Sequence, residues 1–155
     1  MLEQMHCIGV DPGLMAGISV LTVSITESGF TTNLSSSEMP WHDAVSYAER
    51  WCRAPEASRV RIGSERYTIP TGRSVVTAQL DAIMCNGALD WLSSQRDVTF
   101  VLQPRAEVKK LVTDAMLRKL GWFKKTKDGH ANDAARHAGF MLFSTRPDLW
   151  LQLTS

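Results

Sequence analysis

Apolar and polar positions alternate with a period of two through Cys7-Ile8-Gly9-Val10-Asp11, and the alternation stops at Pro12-Gly13. Ile8 and Val10 share one face of a strand, and Cys7, Gly9 and Asp11 share the other. Proline has no N–H for a sheet ladder and glycine tolerates the positive φ of a turn, so pairing ends just after Asp11. Leu14 to Leu21 reads as a second strand, and Gly29-Phe30-Thr31-Thr32-Asn33-Leu34 as a third, entered by a Ser28-Gly29 turn. Three strands joined by short turns make an antiparallel meander. Pro40 then opens a helix, where its fixed φ does no harm. Ala44, Val45, Ala48, Trp51 and Cys52 recur at helical spacing, with Pro55 beyond the stop. Arg59 to Glu65 alternates again and reads as a fourth strand, with Val60 and Ile62 apolar and Glu65 on the opposite parity, as Asp11 is in the first. Because it follows a helix, it runs parallel to the first strand through a right-handed crossover.

The step Thr71-Gly72 leads into a helix expected over roughly Ser74 to Ser94. Val76, Leu80, Ile83, Gly87 and Trp91 form its expected core stripe. A second stripe, Gln79, Ala82, Asn86 and Leu89, is small and mixed, and faces either solvent or a second subunit. Val98 to Leu102 is a fifth strand stopped before Pro104. A helix from Glu107 to about Leu120 ends at Gly121. Gly121 to Gly129 reads as an exposed loop of aromatics and lysines, and a last helix starts near Ala131 and ends before Pro147. The expected architecture is one α/β domain over residues 1–155: a five-stranded mixed sheet, three antiparallel strands and then two parallel additions, flanked by helices.

Composition narrows the function classes. No run of about 18 apolar residues exists, so no membrane span is expected. The first ten residues lack a basic, then apolar, leader pattern. The cysteines are Cys7, Cys52 and Cys85, an odd number without CxxC spacing. That pattern points to reduced thiols in a cytoplasmic protein rather than to a zinc or disulfide framework. Net charge is only +1, but it is unevenly spread: residues 1–57 hold seven acids and two bases, and residues 96–127 hold nine bases and three acids. Such asymmetry suggests a basic face for a polyanion, against the plainer reading of a solvated charged surface.

The chemistry-bearing candidates are Asp11 and Glu65 at strand ends, and His130 and Asp133 three residues apart at a helix start. Each has a structural explanation by itself. Asp11 can cap its turn, Glu65 can pair with Arg61 or Arg66, and an acid in a first helical turn answers the helix dipole. Together they meet a different requirement. Hard divalent cations take carboxylate oxygens, and a pair of them can cleave a phosphodiester when side chains from separate elements converge at a sheet edge. Tyr67 and Trp122 are candidates for stacking on unpaired bases.

Four segments, Cys7 to Gly13, Ile62 to Glu65, Gln103 to Lys110 and His130 to Ala135, resemble the RuvC-type Holliday junction resolvases in order and spacing. The order of elements and the small size resemble the shortened, phage-encoded members. The resemblance implies a ribonuclease H-like fold, a homodimer, and Mg²⁺- or Mn²⁺-dependent nicking of opposed strands at four-way DNA junctions with two ions per site. It makes Asp11, Glu65 and Asp133 metal ligands and Lys109 the active-site lysine. His130 falls where many members carry an acid and some a histidine. Thr113-Asp114-Ala115 replaces a Gly-x-Gly turn of the family, and Arg118 or Lys119 stands where a second lysine is expected. The family's intruding aromatic is expected three residues past the second acid, whereas Tyr67 lies two past it. The expected DNA contacts are Tyr67, Arg73, Lys110, Arg118, Lys119, Lys124, Lys125 and Lys127, and the expected dimer face is Gln79, Ala82, Asn86 and Leu89. Two alternatives stay open: a related nuclease acting on other branched or RNA-containing structures, and a non-catalytic junction-binding module. A sugar-kinase or actin-like fold would need a second, similar half, which this chain does not contain.

Overall fold

In a computed structural model, residues 3–53, 59–68, 77–96 and 98–155 are described. The elements are β1 (Glu3–Asp11), β2 (Met15–Thr26), β3 (Gly29–Pro40), α1 (Trp41–Cys52), β4 (Val60–Glu65), α2 (Thr77–Ser94), β5 (Thr99–Gln103), α3 (Arg105–Leu111), α4 (Asp114–Lys119), α5 (His130–Thr145) and α6 (Pro147–Thr154). The sheet order is β3-β2-β1-β4-β5. β1, β2 and β3 pair antiparallel, while β4 joins β1 and β5 joins β4 in parallel. The mixed sheet expected from the sequence is the one formed. None of the helices is long and apolar enough to cross a membrane among the described residues.

Strand parity divides the core. Ile8, Val10, Ile18, Val20, Val60 and Ile62 face α1 and α2, whereas Cys7, Leu21 and Val23 face α5, α6 and the buried side of α4. Asp11 has the parity of Cys7, so its carboxylate emerges on the α5 face. There α5 lies with its backbone directly on the sheet. A Cβ on Gly9 would come within 2.0 Å of Ala134 O, and one on Gly17 within 2.0 Å of His130 O. Glycine at these two positions lets the first turn of α5 sit beside the ends of β1 and β4.

Helix α2 reverses the expectation. Ala82, Asn86 and Leu89 are buried within the chain, and Gln79 is half-buried, so the stripe assigned to a dimer face belongs to the core. Asn86 Oδ1 accepts from Ser64 Oγ at 2.6 Å, and its amide donates to Glu65 O at 3.0 Å, which ties α2 to the end of β4. Leu80, Ile83, Met84 and Trp91 are exposed instead, with Trp91 at 67%. Apolar residues occur on both faces of this helix, so periodicity cannot choose between them. The small Ala82 and Cys85 and the two polar bonds of Asn86 decide. The expected start of α2 at Ser74, with Thr71, Gly72, Arg73 and Val76, lies outside the described residues, as does Pro55.

Other boundaries differ for local reasons. The single helix expected from Glu107 to Leu120 is two, because Thr113 takes an extended conformation and caps α4, its hydroxyl accepting from Met116 N at 3.2 Å. The helix expected to end before Pro147 does so, at Thr145, and Pro147 then starts a further helix, α6, at a position where its missing N–H is not needed. Trp122, expected in an exposed loop, is buried against Gly139 on α5, so it cannot stack on a base. Cys7, Cys52 and Cys85 are free and buried. Burial pushes the Cys7 and Cys85 thiols up to about 12 and Cys52 to about 11, so they are unreactive at neutral pH.

Candidate active site

Asp11, Glu65 and Asp133 each place a carboxylate oxygen within 4.8 Å of the others, at the carboxyl ends of two parallel strands and the first turn of α5. Three elements therefore supply three carboxylates to one point. The parallel register, Gly9 opposite Gly63 and Val10 opposite Ser64, brings the two strand-end acids side by side. The start of α5 fixes the third: Gly129, in the left-handed conformation, accepts from Asp133 N at 3.1 Å, and the Glu38 carboxylate accepts from Ala131 N at 3.0 Å.

His130 is not part of that three-acid cluster. Its Nδ1 lies 2.7 Å from Asp11 Oδ2. Burial works against its protonated form, but the hydrogen bond and charge of Asp11 outweigh this and hold the ring above the usual histidine range. Asp11 is itself raised. Its burial, with the nearby Glu65 and Asp133 charges, outweighs the help from His130.

Cations surround the other two acids. Lys109 Nζ is 3.0 Å from Asp133 Oδ2, Arg105 Nη2 is 3.6 Å from the same oxygen, and Arg136 binds Asp133 Oδ1 and Asp114 Oδ1. Arg136 also donates from Nε to Val112 O at 3.1 Å. Glu65 is held below the usual carboxylate range. Burial alone would raise it, but His137, Arg105 and Lys109 overcome that. Its Oε2 is nevertheless buried without a hydrogen-bond partner among the described residues, 3.7 Å from both Arg105 Nε and His137 Nε2. A buried, ionised oxygen with no donor is what a bound cation satisfies, and an all-oxygen set suits a hard divalent ion. The residues present fit such an ion.

A groove leads onto Asp133 from the loop before α5, lined by Lys109, Lys124, Lys125, Lys127 and Arg105 among others. Asn132 clamps the loop, accepting from Lys124 N at 2.8 Å and donating to Lys124 O at 2.7 Å. Lys110, Lys125 and Lys127 are exposed, and Tyr67 is half-buried just past β4. Arg118 lies over the Phe123 ring, 4.0 Å from its centre. Lys119 is turned to the end of α6, donating to Thr154 O and Ser155 O at 2.7 and 2.9 Å. Arg73 lies outside the described residues.

The sequence reading missed Arg136, His137 and Gln103 as parts of this site. The signal was present in Ala135-Arg136-His137-Ala138, where two polar residues interrupt the buried, alanine-rich side of α5.

No protein-family model matches the chain, and no curated protein matches it by sequence. Solved structures do match in fold. The Thermus thermophilus RuvC structure superposes with a TM-score of 0.60 at 16% identity, covering 94% of this chain and 98% of the other. The structure of T. thermophilus RuvC in complex with Holliday junction substrate superposes with a TM-score of 0.64, at the same identity and coverage. The chain therefore has the RuvC fold, of the ribonuclease H-like kind, over nearly its whole length.

Proposed function

We propose that this chain is a divalent-cation-dependent endonuclease that nicks opposed strands of four-way DNA junctions and acts as a homodimer. The observation that carries the reading is the convergence of Asp11, Glu65 and Asp133, from three elements, at the head of a basic groove. Asp11, Glu65 and Asp133 would hold Mg²⁺ or Mn²⁺, two ions per site, with His130 joining from the Asp11 side. When bound there, the ions supply an activated water and stabilise the leaving oxygen.

The chain's own groups do the rest. Lys109, next to Asp133, offsets charge on the scissile phosphate. Arg136 keeps Asp133 fixed by occupying its Oδ1, so that Oδ2 is the oxygen turned to Lys109 and Arg105. Lys110, Lys124, Lys125, Lys127 and Arg118 take the phosphate backbone, Arg73 extends this set, and Tyr67 packs against bases at the branch point. Cleavage of four-way junctions with a divalent cation, compared with other DNA forms, tests the proposal.

Replacing Lys124, Lys125 and Lys127 together with alanine weakens binding to every DNA form and lowers the salt slope by up to about three counterions. An unchanged slope in a binding titration would place the groove away from DNA.

His130 sets a pH signature. To join a cation its ring must lose a proton, and Asp11 holds that proton beyond the ordinary value of about 6.5. Cleavage at limiting cation therefore rises with pH through the region above about 6.5. His130→Asp retains activity and moves this limb to lower pH. Stability of the cation-free protein runs the other way. A histidine with a raised folded pKa stabilises fully below its unfolded value, and that contribution is lost as pH rises through the folded one. A pH–rate profile of His130→Ala that overlays wild type would remove His130 from the site.

A further inference from the structure

His137 lies one turn beyond Asp133 on α5 and is 2% exposed. The proposed hydrolysis does not use it, yet its ring stands against Glu65, with Nε2 3.7 Å from Glu65 Oε2. The other ring nitrogen, Nδ1, is 2.7 Å from Gln103 Oε1. Gln103 ends β5 directly opposite Glu65 in the parallel register and is 1% exposed. Its side chain crosses β4 above Gly63, where a Cβ would come within 2.3 Å of the amide nitrogen. Gly63 thus clears the room, Gln103 fills it, and the amide braces the imidazole against the one buried oxygen that lacks a partner among the described residues.

A core histidine is accounted for when both its nitrogens are satisfied, and here Gln103 satisfies only one. A carboxylate oxygen accepts two bonds, so Glu65 Oε2 can take an N–H from the ring and still face a cation. We propose that His137, braced by Gln103, is a positioning residue that holds the Glu65 carboxylate in the orientation that receives a divalent cation. This rests on the reading of Asp11, Glu65 and Asp133 as cation ligands. A free glutamate has several rotamers to lose on binding, and a neighbour that locks one beforehand raises cation affinity without touching the ion. A neutral imidazole carries one N–H, and for it to face Glu65, Nδ1 must accept. The two ends of an amide have nearly the same shape, so Gln103 serves with its NH₂ group toward Nδ1.

The test is Mn²⁺ binding to the full chain, followed by the loss of the free-ion paramagnetic resonance signal, with thermal unfolding as the folding control. His137→Leu keeps bulk and removes both nitrogens, and weakens binding by about 10–100-fold. His137→Gln restores an N–H near the place of Nε2 and recovers most of that loss. Should His137→Leu fail to fold, Gln103→Met removes the brace from the other side, and weaker Mn²⁺ binding is expected again. Mn²⁺ binding in folded His137→Leu or Gln103→Met equal to wild type, while Asp11→Asn loses it, overturns this inference alone. So does a His137→Gln protein no better than His137→Leu. Wild-type protein that takes up no Mn²⁺, or Asp11→Asn that binds it like wild type, overturns the ligand reading and this inference with it.

Discussion

Asp11→Asn abolishes cleavage while leaving junction binding unchanged or tighter. Replacing groups that merely orient a metal ligand costs about 10–100-fold, so removing a ligand's charge costs at least the upper end of that range, more than about a hundredfold in rate. Binding moves in the opposite direction. The substitution deletes a negative charge facing phosphate, worth about 1 kcal/mol at contact distance in water, or up to about fivefold in affinity. The cation-free fold is not weakened. Asp11 has a raised pKa because burial and the two neighbouring acids disfavour its charge, so at neutral pH ionised Asp11 costs stability, which the isosteric amide relieves. Loss of folding together with cleavage and binding would instead make Asp11 a turn cap. Melting curves without added metal, beside binding and cleavage assays, separate these outcomes.

Ile83→Arg combined with Trp91→Arg yields a folded monomer that nicks junctions without pairing the cuts. One site per chain requires two chains for two symmetric incisions, and a two-fold pair must meet through the same surface on each. The exposed face of α2, with Leu80, Ile83, Met84 and Trp91, lies beside a groove lined by Gly87, Phe100, Val101 and Leu102 together with Arg66, Asn86 and Asp90, next to β5, the edge strand among the described residues. Four large apolar side chains exposed on one helix face mark a surface of the kind that partner chains cover. An anchor residue at such an interface is worth about 2 kcal/mol or more, and each counts twice in a two-fold pair. Losing about 4 kcal/mol from even one anchor weakens the dimer roughly a thousandfold. Sedimentation of wild-type protein as a monomer, both free and on a junction, would remove this face from the account.

The acids were legible in the sequence because strand parity and turn chemistry are local. Asp11 before Pro12-Gly13 and Glu65 on the matching parity of β4 needed only a period of two and a stop signal. Gly9 and Gly63 were also in view, but what they make room for, the backbone of α5 and the amide of Gln103, depends on partners far away in the chain. The faces of α2 were not legible, since apolar residues lie on both and the choice rests on Asn86 reaching Ser64 and Glu65 at the end of β4. Arg136 and His137 belong to the same class. A polar pair on a buried helix side announces a partner, but the sequence cannot say that the partners are Asp133, Asp114, Gln103 and Glu65.

The central claim is most directly tested by incubating the protein with four-way, three-way, flap, linear and RNA-containing substrates in Mg²⁺ or Mn²⁺, with a chelator control. Paired nicks are expected at symmetric positions in opposed strands of the four-way junction, absent with chelator and much weaker on linear DNA. Tight junction binding without cleavage in either ion, or cleavage that favours flap or RNA-containing substrates over four-way junctions, would contradict it.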